Sequence, residues 1–304
     1  ETEPMIISVA SGKGGTGKTS IATSLAAVLG ARAQLLDCDV EEPNCHILMK
    51  PVMHSSETVS LPVPVVDKET CSLSGRCGEV CRFSAIVVMG GLVLTFPEMC
   101  HGCGGCWLLC PEKAISVGRR ELGVIETGHS GPVEFVQGRS RIGEAMSPPL
   151  IRAVKQKINR SKIAILDAPP GASCPVIHTV MGSDFIILVT EPTPFGLHDL
   201  RIAVEALTPL GIPFGVVLNR CDIGDQEVQA FCKSRGIPLL AEIPHRRRIA
   251  EGYARGELIV QSEPAYRNTF LELFRQVEQL TGFQAFPVKA VSYTHLTLPT
   301  IYSV

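Results

Sequence analysis

The segment from residue 12 to residue 19 combines glycine, lysine and threonine in a pattern that binds phosphate. It reads GKGGTGKT, which satisfies G-x4-G-K-T, and it stands between a β-branched apolar run and an Ala/Leu-rich run. Glycines let successive backbone N–H groups face a phosphate, the lysine reaches the β- and γ-phosphates, and the hydroxyl binds Mg²⁺. We therefore predict a nucleotide-binding loop, with Lys18 on the phosphates and Thr19 on Mg²⁺, that consists of Gly12, Lys13, Gly14, Gly15, Thr16, Gly17, Lys18, Thr19 and Ser20.

Four cysteines further along the chain have the spacing of iron–sulfur ligands. Cys100, Cys103, Cys106 and Cys110 form C-x2-C-x2-C-x3-C-P, the complete run of bacterial ferredoxins. The first three thiolates of such a run bind three corners of one cubane, and the fourth binds the other cluster. The spacing favours iron–sulfur over zinc, because zinc sites use paired C-x2-C motifs.

A second run precedes the first, with Ser74 where a cysteine is expected. Cross-ligation between the runs predicts two ligand sets. The four-cysteine set is Cys81, Cys100, Cys103 and Cys106, and the three-cysteine set is Cys71, Cys77 and Cys110 with Ser74 at the fourth corner. Three outcomes stay open for the three-cysteine set: a three-iron cluster, a four-iron cluster with an alkoxide or water at one iron, or no cluster. We expect two clusters, the one at Ser74 being labile.

Three aspartates end apolar runs that predict strands. Asp37 and Asp39 end one run, and Asp167 ends another and begins the motif D-x-P-P-G. Mg²⁺ takes oxygen ligands and keeps waters that need acceptors, so carboxylates here fit a metal site beside Thr19. Aspartates in such positions also cap helices. The phosphate-binding pattern elsewhere in the chain favours the metal site.

Length, charge and apolar content exclude several classes of protein. The chain has 304 residues, of which 45% are apolar and 19% charged, and its net charge is −2. This balance of charges does not provide the basic surface that binds nucleic acid. No apolar run reaches the roughly 18–20 residues of a membrane helix. Cysteines clustered between residues 71 and 110, without a signal peptide, indicate metal ligation in a reducing compartment. We expect a cytoplasmic protein with no nucleic-acid partner and no stable membrane insertion.

Strand-like and helix-like segments alternate along most of the chain. Strands are predicted at 5–10, 33–36, 162–166, 185–190, 214–218 and 238–243, and helices at 18–29, 174–181, 197–207, 226–234 and 266–280. This alternation is typical of an α/β fold with a mostly parallel sheet and helices on both faces. Because it stops between 57 and 118, we predict a P-loop domain over 1–57 and 119–290 and an inserted α+β ferredoxin-like domain over 58–118. We expect Met5 to be the natural start and 291–304 to be a non-native tail.

A second lysine, Lys13, gives the loop the form K-G-G-T-G-K-T. Together with D-C-D at 37–39, V-E-E-P-N at 40–44 and D-x-P-P-G at 167–171, the chain resembles the MinD/ParA/Mrp and nitrogenase-iron-protein superfamily of P-loop ATPases, which has a deviant phosphate loop. The resemblance covers residues 5–284, and the cysteine runs add an inserted two-cluster [4Fe–4S] ferredoxin domain. It implies ATP and Mg²⁺ as cofactors and a nucleotide-dependent homodimer, or a heterodimer with a paralogue.

The resemblance also implies roles for single residues. Lys13 would reach the partner's nucleotide and stabilise negative charge in catalysis, beside the catalytic Lys18. Asp37 and Asp167 would support the Mg²⁺ shell with Thr19, and Asp39 would orient the attacking water. Asn219, at the end of a predicted strand, would contact adenine.

Three functions compete on this basis. The first is an ATPase that couples nucleotide binding to electron transfer, or to partner binding, through its ferredoxin domain. The second is a positioning or assembly ATPase of MinD/ParA type with structural or sensory clusters. The third is an Mrp-like iron–sulfur cluster carrier. The redox or assembly partner stays unidentified.

The last predicted helix places Phe270, Leu271, Phe274 and Val277 on one face with balanced charges elsewhere, which favours core packing over membrane binding.

Overall fold

The computed structural model describes residues 5–282. The predicted tail, 291–304, lies outside the described residues, as do the four residues before Met5. Within residues 5–282, no helix is long and apolar enough to cross a membrane.

The centre of the molecule is a nine-stranded sheet with the order β11-β10-β9-β1-β8-β2-β7-β6-β3. The strands from β11 to β7 run parallel, whereas β6 and β3 run antiparallel to their neighbours. A separate hairpin is formed by β4 and β5. The strands are β1 Ile6–Ser11, β2 Ala33–Asp37, β3 Val52–Val66, β4 Ile86–Met89, β5 Leu92–Thr95, β6 Ile115–Ser130, β7 Val133–Ser140, β8 Ile163–Pro170, β9 Phe185–Thr190, β10 Phe214–Asn219 and β11 Leu239–Ile243.

Helices cover both faces of this sheet. They are α1 Lys18–Leu29, α2 Cys45–Met49, α3 Arg76–Val80, α4 Gly105–Leu108, α5 Pro148–Lys155, α6 Cys174–Val180, α7 Pro194–Leu207, α8 Glu227–Arg235, α9 Arg247–Ala254, α10 Ile259–Ser262 and α11 Tyr266–Thr281. Alternate residues of the central strands pack to opposite sides: Val9 of β1 joins the core under α1 and α11, and Ala10 joins the core under α6, α7 and α8. The predicted α/β fold with a mostly parallel, doubly covered sheet is confirmed.

Helix α11 buries the apolar face that the sequence predicts. Phe270, Leu273, Phe274 and Val277 are buried in the core that α11 shares with α1, and Leu271 packs against that core while partly buried. The predicted packing of this face in the core is confirmed.

The cysteine runs lie at the end of a long two-stranded ribbon. Strands β3 and β6 pair from Val52 opposite His129 to Val66 opposite Ile115, and the connection 67–114 between them contains α3, the β4–β5 hairpin and α4. We call residues 67–114 the cysteine segment. The predicted limits at 58 and 118 fall inside β3 and β6, because both strands continue from the main sheet into the ribbon without a break. Strand β3 is the edge strand of the sheet, which permits its Pro62 and Pro64.

Candidate nucleotide site and cysteine clusters

The predicted phosphate loop connects β1 to α1 at the carboxyl end of the parallel strands. Gly15 and Gly17 have φ angles of 82° and 91°, which L side chains rarely adopt. A Cβ atom on Gly17 would lie 2.4 Å from Nδ2 of Asn219. That amide donates a hydrogen bond to the carbonyl of Thr16 over 2.9 Å. Asn219, at the end of β10, therefore lies against the loop and holds its backbone.

Strand register brings two of the predicted metal carboxylates together. Asp37 of β2 is paired with Asp167 of the neighbouring strand β8. Lys18 Nζ lies 2.8 Å from Asp167 Oδ1, and the hydroxyl of Thr19 donates to Asp167 Oδ2 over 2.7 Å. Asp39 Oδ2 lies 3.9 Å from Lys18 Nζ. The structure thus groups the predicted phosphate lysine, the metal hydroxyl and the three carboxylates.

Burial and mutual repulsion make this group electrostatically unusual. Burial, followed by the charge of Asp167, raises the pKa of Asp37 to about 7. Burial also raises the pKa of Asp39 to about 6, although Lys18 opposes the shift. Burial acts to lower the pKa of Lys18, but Asp167 and the other carboxylates outweigh it and leave that pKa raised. Three carboxylates around one ammonium form a site that a further cation stabilises.

The loop and Asp39 border a cavity of about 460 Å³. Lys13, which is half-buried, lines it together with Asp39 and Asn219. The opposite wall comes from the segment after β11 and from α9, including His245, Arg246 and Tyr253. The sequence analysis did not identify this wall, because no motif marks it.

The residues present fit a magnesium–nucleotide complex. Thr16 Oγ1 is buried and has no hydrogen-bond partner, so a donor or acceptor of a bound ligand would satisfy it. The loop N–H groups, Lys18 and Thr19 provide the phosphate and metal contacts, and buried carboxylate oxygens suit a hard cation.

Cys45 is a member of this site that the sequence analysis missed. Cys45 belongs to no motif of the sequence, but its Sγ donates to Asp167 Oδ2 over 3.3 Å. Its backbone N–H donates to Asp37 Oδ2 over 2.9 Å. Eight positions separate Cys45 from Asp37, and the placement of α2 beside α1 brings the thiol to both carboxylates.

The cysteine segment contains two cavities that correspond to the two predicted ligand sets. Cys71, Ser74, Cys77 and Cys110 line one of them. The other is lined by Cys81, Cys100, Cys103 and Cys106. Each cavity therefore draws cysteines from both runs, in the combination that cross-ligation predicts.

The backbone of the two runs repeats. Ala85 N–H donates to Cys81 Sγ over 3.2 Å, and Ala114 N–H donates to Cys110 Sγ over 3.3 Å. The residue before each alanine, Ser84 or Lys113, has a φ of 53°. Amides aimed at sulfur stabilise thiolates and tune clusters.

Spacing between the sulfur atoms distinguishes a cluster from a single zinc ion. Tetrahedral zinc, with Zn–S bonds of about 2.3 Å, holds its thiolates roughly 3.8 Å apart. Within residues 5–282, no three cysteines of the cysteine segment have sulfur atoms within 4.8 Å of one another. Burial raises the pKa of Cys106 to about 11, and the smaller contributions of Cys100 and Cys103 raise it further. The residues therefore fit a larger group that spreads its ligands.

Comparisons with known proteins agree with this architecture. Over 262 residues the chain is 29% identical to uncharacterized protein MJ0579 of Methanocaldococcus jannaschii, which covers 84% of this chain and 91% of that protein. It is 24% identical over 300 residues to an iron–sulfur cluster carrier protein of Aquifex aeolicus, with 90% of this chain and 67% of that protein covered. The septum site-determining protein MinD of Pyrococcus horikoshii, solved with Mg-ADP, has a TM-score of 0.56 at 22% identity and covers 93% of this chain and 99% of its own.

The match to protein families spans most of the described chain. Residues 7–259 match the model of the CobQ/CobB/MinD/ParA nucleotide-binding domain. This range includes the phosphate loop, the three aspartates, Asn219 and both cysteine runs. The chain belongs to the CobQ/CobB/MinD/ParA family of nucleotide-binding proteins.

Proposed function

We propose that this protein is an ATP-hydrolysing iron–sulfur protein that couples a nucleotide-dependent dimer to electron transfer or partner binding through its cysteine segment. The observation that carries the proposal is the pair of cysteine-lined cavities in a chain that also has a phosphate loop. Membership of a family of nucleotide-binding ATPases supports the first half of the proposal. The match between each cavity and a cross-ligated set supports the second.

Nucleotide binding must rearrange the contacts of Lys18. Its ammonium is now held by Asp167, so incoming phosphates compete with that carboxylate. As Lys18 turns to the β- and γ-phosphates, Asp167 stays hydrogen-bonded to Thr19 and is free to accept from the metal's waters. Mg²⁺, when bound, supplies Lewis-acid stabilisation of charge on the phosphates. The site therefore links phosphate binding to the position of the strand-end carboxylate.

Hydrolysis is then a matter of positioning and charge stabilisation. Asp39 borders the cavity beside Lys18, where it can orient a water that adds to the γ-phosphorus. The bond to the bridging oxygen breaks, both protons of the water remain on the phosphate product, and ADP and phosphate leave. Lys18 of the same chain and Lys13 of a second copy stabilise the negative charge that develops. The homodimer, or a heterodimer with a paralogue, is part of this proposal.

The cysteine segment would hold one complete and one incomplete cluster site. The four-cysteine set provides a thiolate for every corner of a [4Fe–4S] cubane. The three-cysteine set leaves one corner to Ser74, which is exposed, so a three-iron cluster or a cubane with a labile iron fits it. A labile iron also supports the second candidate, a cluster carrier. The relative in Aquifex aeolicus that bears that name favours this candidate.

Iron content after anaerobic purification tests the proposal directly. We expect about seven or eight irons per chain and the EPR spectra of two clusters. About four irons per chain would contradict the two-cluster assignment. ATP should shift the cluster potential and drive dimer formation, measured by voltammetry and by analytical ultracentrifugation. Identical potentials with and without ATP would count against coupling.

The Ser74→Cys variant sharpens the assignment of the incomplete site. A thiolate at the fourth corner should convert a three-iron signal into a four-iron signal and add about one iron per chain. Ser56→Cys, at an exposed serine of β3 that lines neither cavity, is the matched control and should leave the EPR signal and the iron content unchanged. Equal effects of the two variants would remove Ser74 from the ligand set.

A further inference from the structure

A thiol lies among the buried carboxylates of the nucleotide site. Cys45 contacts Asp167 through its Sγ and Asp37 through its backbone N–H. All three residues are fully buried. Among residues 5–282, they are the one group of three or more His, Cys, Asp or Glu residues whose ligand atoms lie within 4.8 Å of one another.

Negative charge around this group exceeds positive charge. Asp37, Asp39 and Asp167 are buried or nearly so, and within residues 5–282 the one ammonium in ion-pair contact with them is that of Lys18, 2.8 Å from Asp167 and 3.9 Å from Asp39. Buried carboxylates in excess of cations are costly unless a charge or a proton compensates them. A divalent cation between Asp37 and Asp167 would compensate both.

The donor set is one that Mg²⁺ does not prefer. Mg²⁺ takes octahedral oxygen ligands and retains waters, whereas a thiolate is a soft ligand that selects zinc-like ions. One thiolate and two carboxylates, with a fourth position for water, supply ligand types that tetrahedral zinc accepts. The thiol proton now lies between Sγ of Cys45 and Oδ2 of Asp167. A cation that replaces this proton would bind the same sulfur and the same oxygen.

We propose that Asp37, Cys45 and Asp167 form a buried site for a thiophilic divalent cation, with Zn²⁺ as the principal ion. The site is occupied when no nucleotide is bound, and the cation in it competes with Mg·ATP. On binding, the S–H bond of Cys45 breaks, the proton passes to solvent, and a Zn–S bond forms with no change of oxidation state. The site goes beyond the proposed function, because it requires neither hydrolysis nor an iron–sulfur cluster.

A zinc titration of the full-length, nucleotide-free protein tests this site, with a chromophoric chelator as competitor. Three proteins are compared: the wild type, Cys45→Ser, and Cys232→Ser, which replaces a buried cysteine in the apolar core around α7 and α8. The wild type and Cys232→Ser should bind one more Zn²⁺ than Cys45→Ser, or bind it at least about tenfold more tightly, since loss of a ligand weakens a metal site by at least this factor. The cysteine segment contributes equally to all three proteins.

Equal zinc stoichiometry and affinity in the wild type and Cys45→Ser would overturn the proposal. If Cys45→Ser does not fold, as judged by circular dichroism, Cys45→Ala provides the same comparison. Saturating Mg·ATP should weaken the extra Zn²⁺ of the wild type at least about tenfold, because both cations use Asp37 and Asp167. An extra Zn²⁺ that Mg·ATP leaves in place would overturn the competition. Failure of ATP binding itself, measured separately with a fluorescent nucleotide, would instead contradict the proposed function.

Discussion

Side chains of the nucleotide site are positioned by the main sheet, whereas the cysteines between β3 and β6 are positioned by turns and single helical turns. Asp37 and Asp167 are neighbours because β2 and β8 are paired in register. Cys77 and Cys106 lie in helices of five and four residues, which have little stability of their own. The sheet therefore holds its site before any ligand binds. The cysteine segment, by contrast, depends on a small core that its cysteines share with Ile86 and Ile115, so its cofactors would contribute to its folding.

Lys18→Ala should produce the largest difference between an effect on the nucleotide site and an effect on the cysteine segment. It removes the ammonium that must face the phosphates, so we expect ATP hydrolysis to fall at least about 100-fold. Iron content should not change, because the cysteine segment is held by the ribbon and by its own small core rather than by the phosphate loop. Phosphate release and iron analysis measure the two effects. Lys68→Ala, at an exposed lysine of the cysteine segment, is the control for hydrolysis. Loss of iron in Lys18→Ala would show that the two regions are not independent.

Local patterns predict the sheet and its helices well. The predicted helix 18–29 and strand 185–190 have the observed limits, because periodicity and glycine punctuation are local properties of the chain. The ribbon of β3 and β6 was not predicted, since its pairing joins distant residues and its proline-containing edge strand lacks a buried apolar run. Cysteine spacing nevertheless anticipated which cysteines share a cavity, because cross-ligation follows from the geometry of a cubane. The contact of Cys45 with Asp167 depends on how α2 packs and has no local signal.

Arg120→Met tests how firmly the ribbon is joined to the nucleotide side. The Arg120 guanidinium, on β6, forms a buried ion pair with Glu144 in the loop after β7. Ser140 N–H in turn donates to the carbonyl of Val40, next to Asp39, over 2.7 Å. Removal of Arg120 leaves the buried Glu144 with only the half-exposed Arg141, 3.9 Å away, so the free energy of unfolding should fall by about 3 kcal/mol. Urea denaturation measures it.

Arg119→Met, at the exposed neighbouring arginine, is the matched control for the buried pair. It should change stability by less than about 0.5 kcal/mol. If the two variants unfold alike, the pair does not join the ribbon to the sheet, and the two regions are coupled through some other contact.

Gly17→Ala tests whether nucleotide binding needs the left-handed backbone conformation of the loop. At a φ of 91° an L side chain costs about 1–2 kcal/mol, and its Cβ would also displace the amide of Asn219. We expect nucleotide affinity to fall by roughly tenfold, measured by fluorescence titration. Gly131→Ala, at a φ of 54° in the turn between β6 and β7, places a side chain in a similar backbone conformation outside the loop and should bind nucleotide nearly as the wild type does. Equal losses would mean that the sheet does not fix the loop conformation.

The smallest expected effect is the pH dependence of the nucleotide-free protein. Burial raises the pKa of Asp39 from 3.8 to about 6, so between about pH 4 and pH 6 the folded state holds more protons than the unfolded state and stability falls as pH rises. Asp39→Asn removes this dependence. Between pH 4 and pH 7, the free energy of unfolding of this variant should rise relative to that of the wild type by on the order of 1 kcal/mol, after solvent screening is allowed for.

Thermal or urea unfolding at several pH values without Mg²⁺ measures this difference. Glu205→Gln, on the exposed side of α7, is the control and should show no such trend. A difference between Asp39→Asn and the wild type that stays constant with pH would mean that Asp39 is not strained by its buried neighbours. A site that is preformed holds its carboxylates together, despite their mutual repulsion, before the ligand binds. A constant difference would therefore mean that the carboxylates around Lys18, like the cysteine segment, depend on their ligand for their final arrangement.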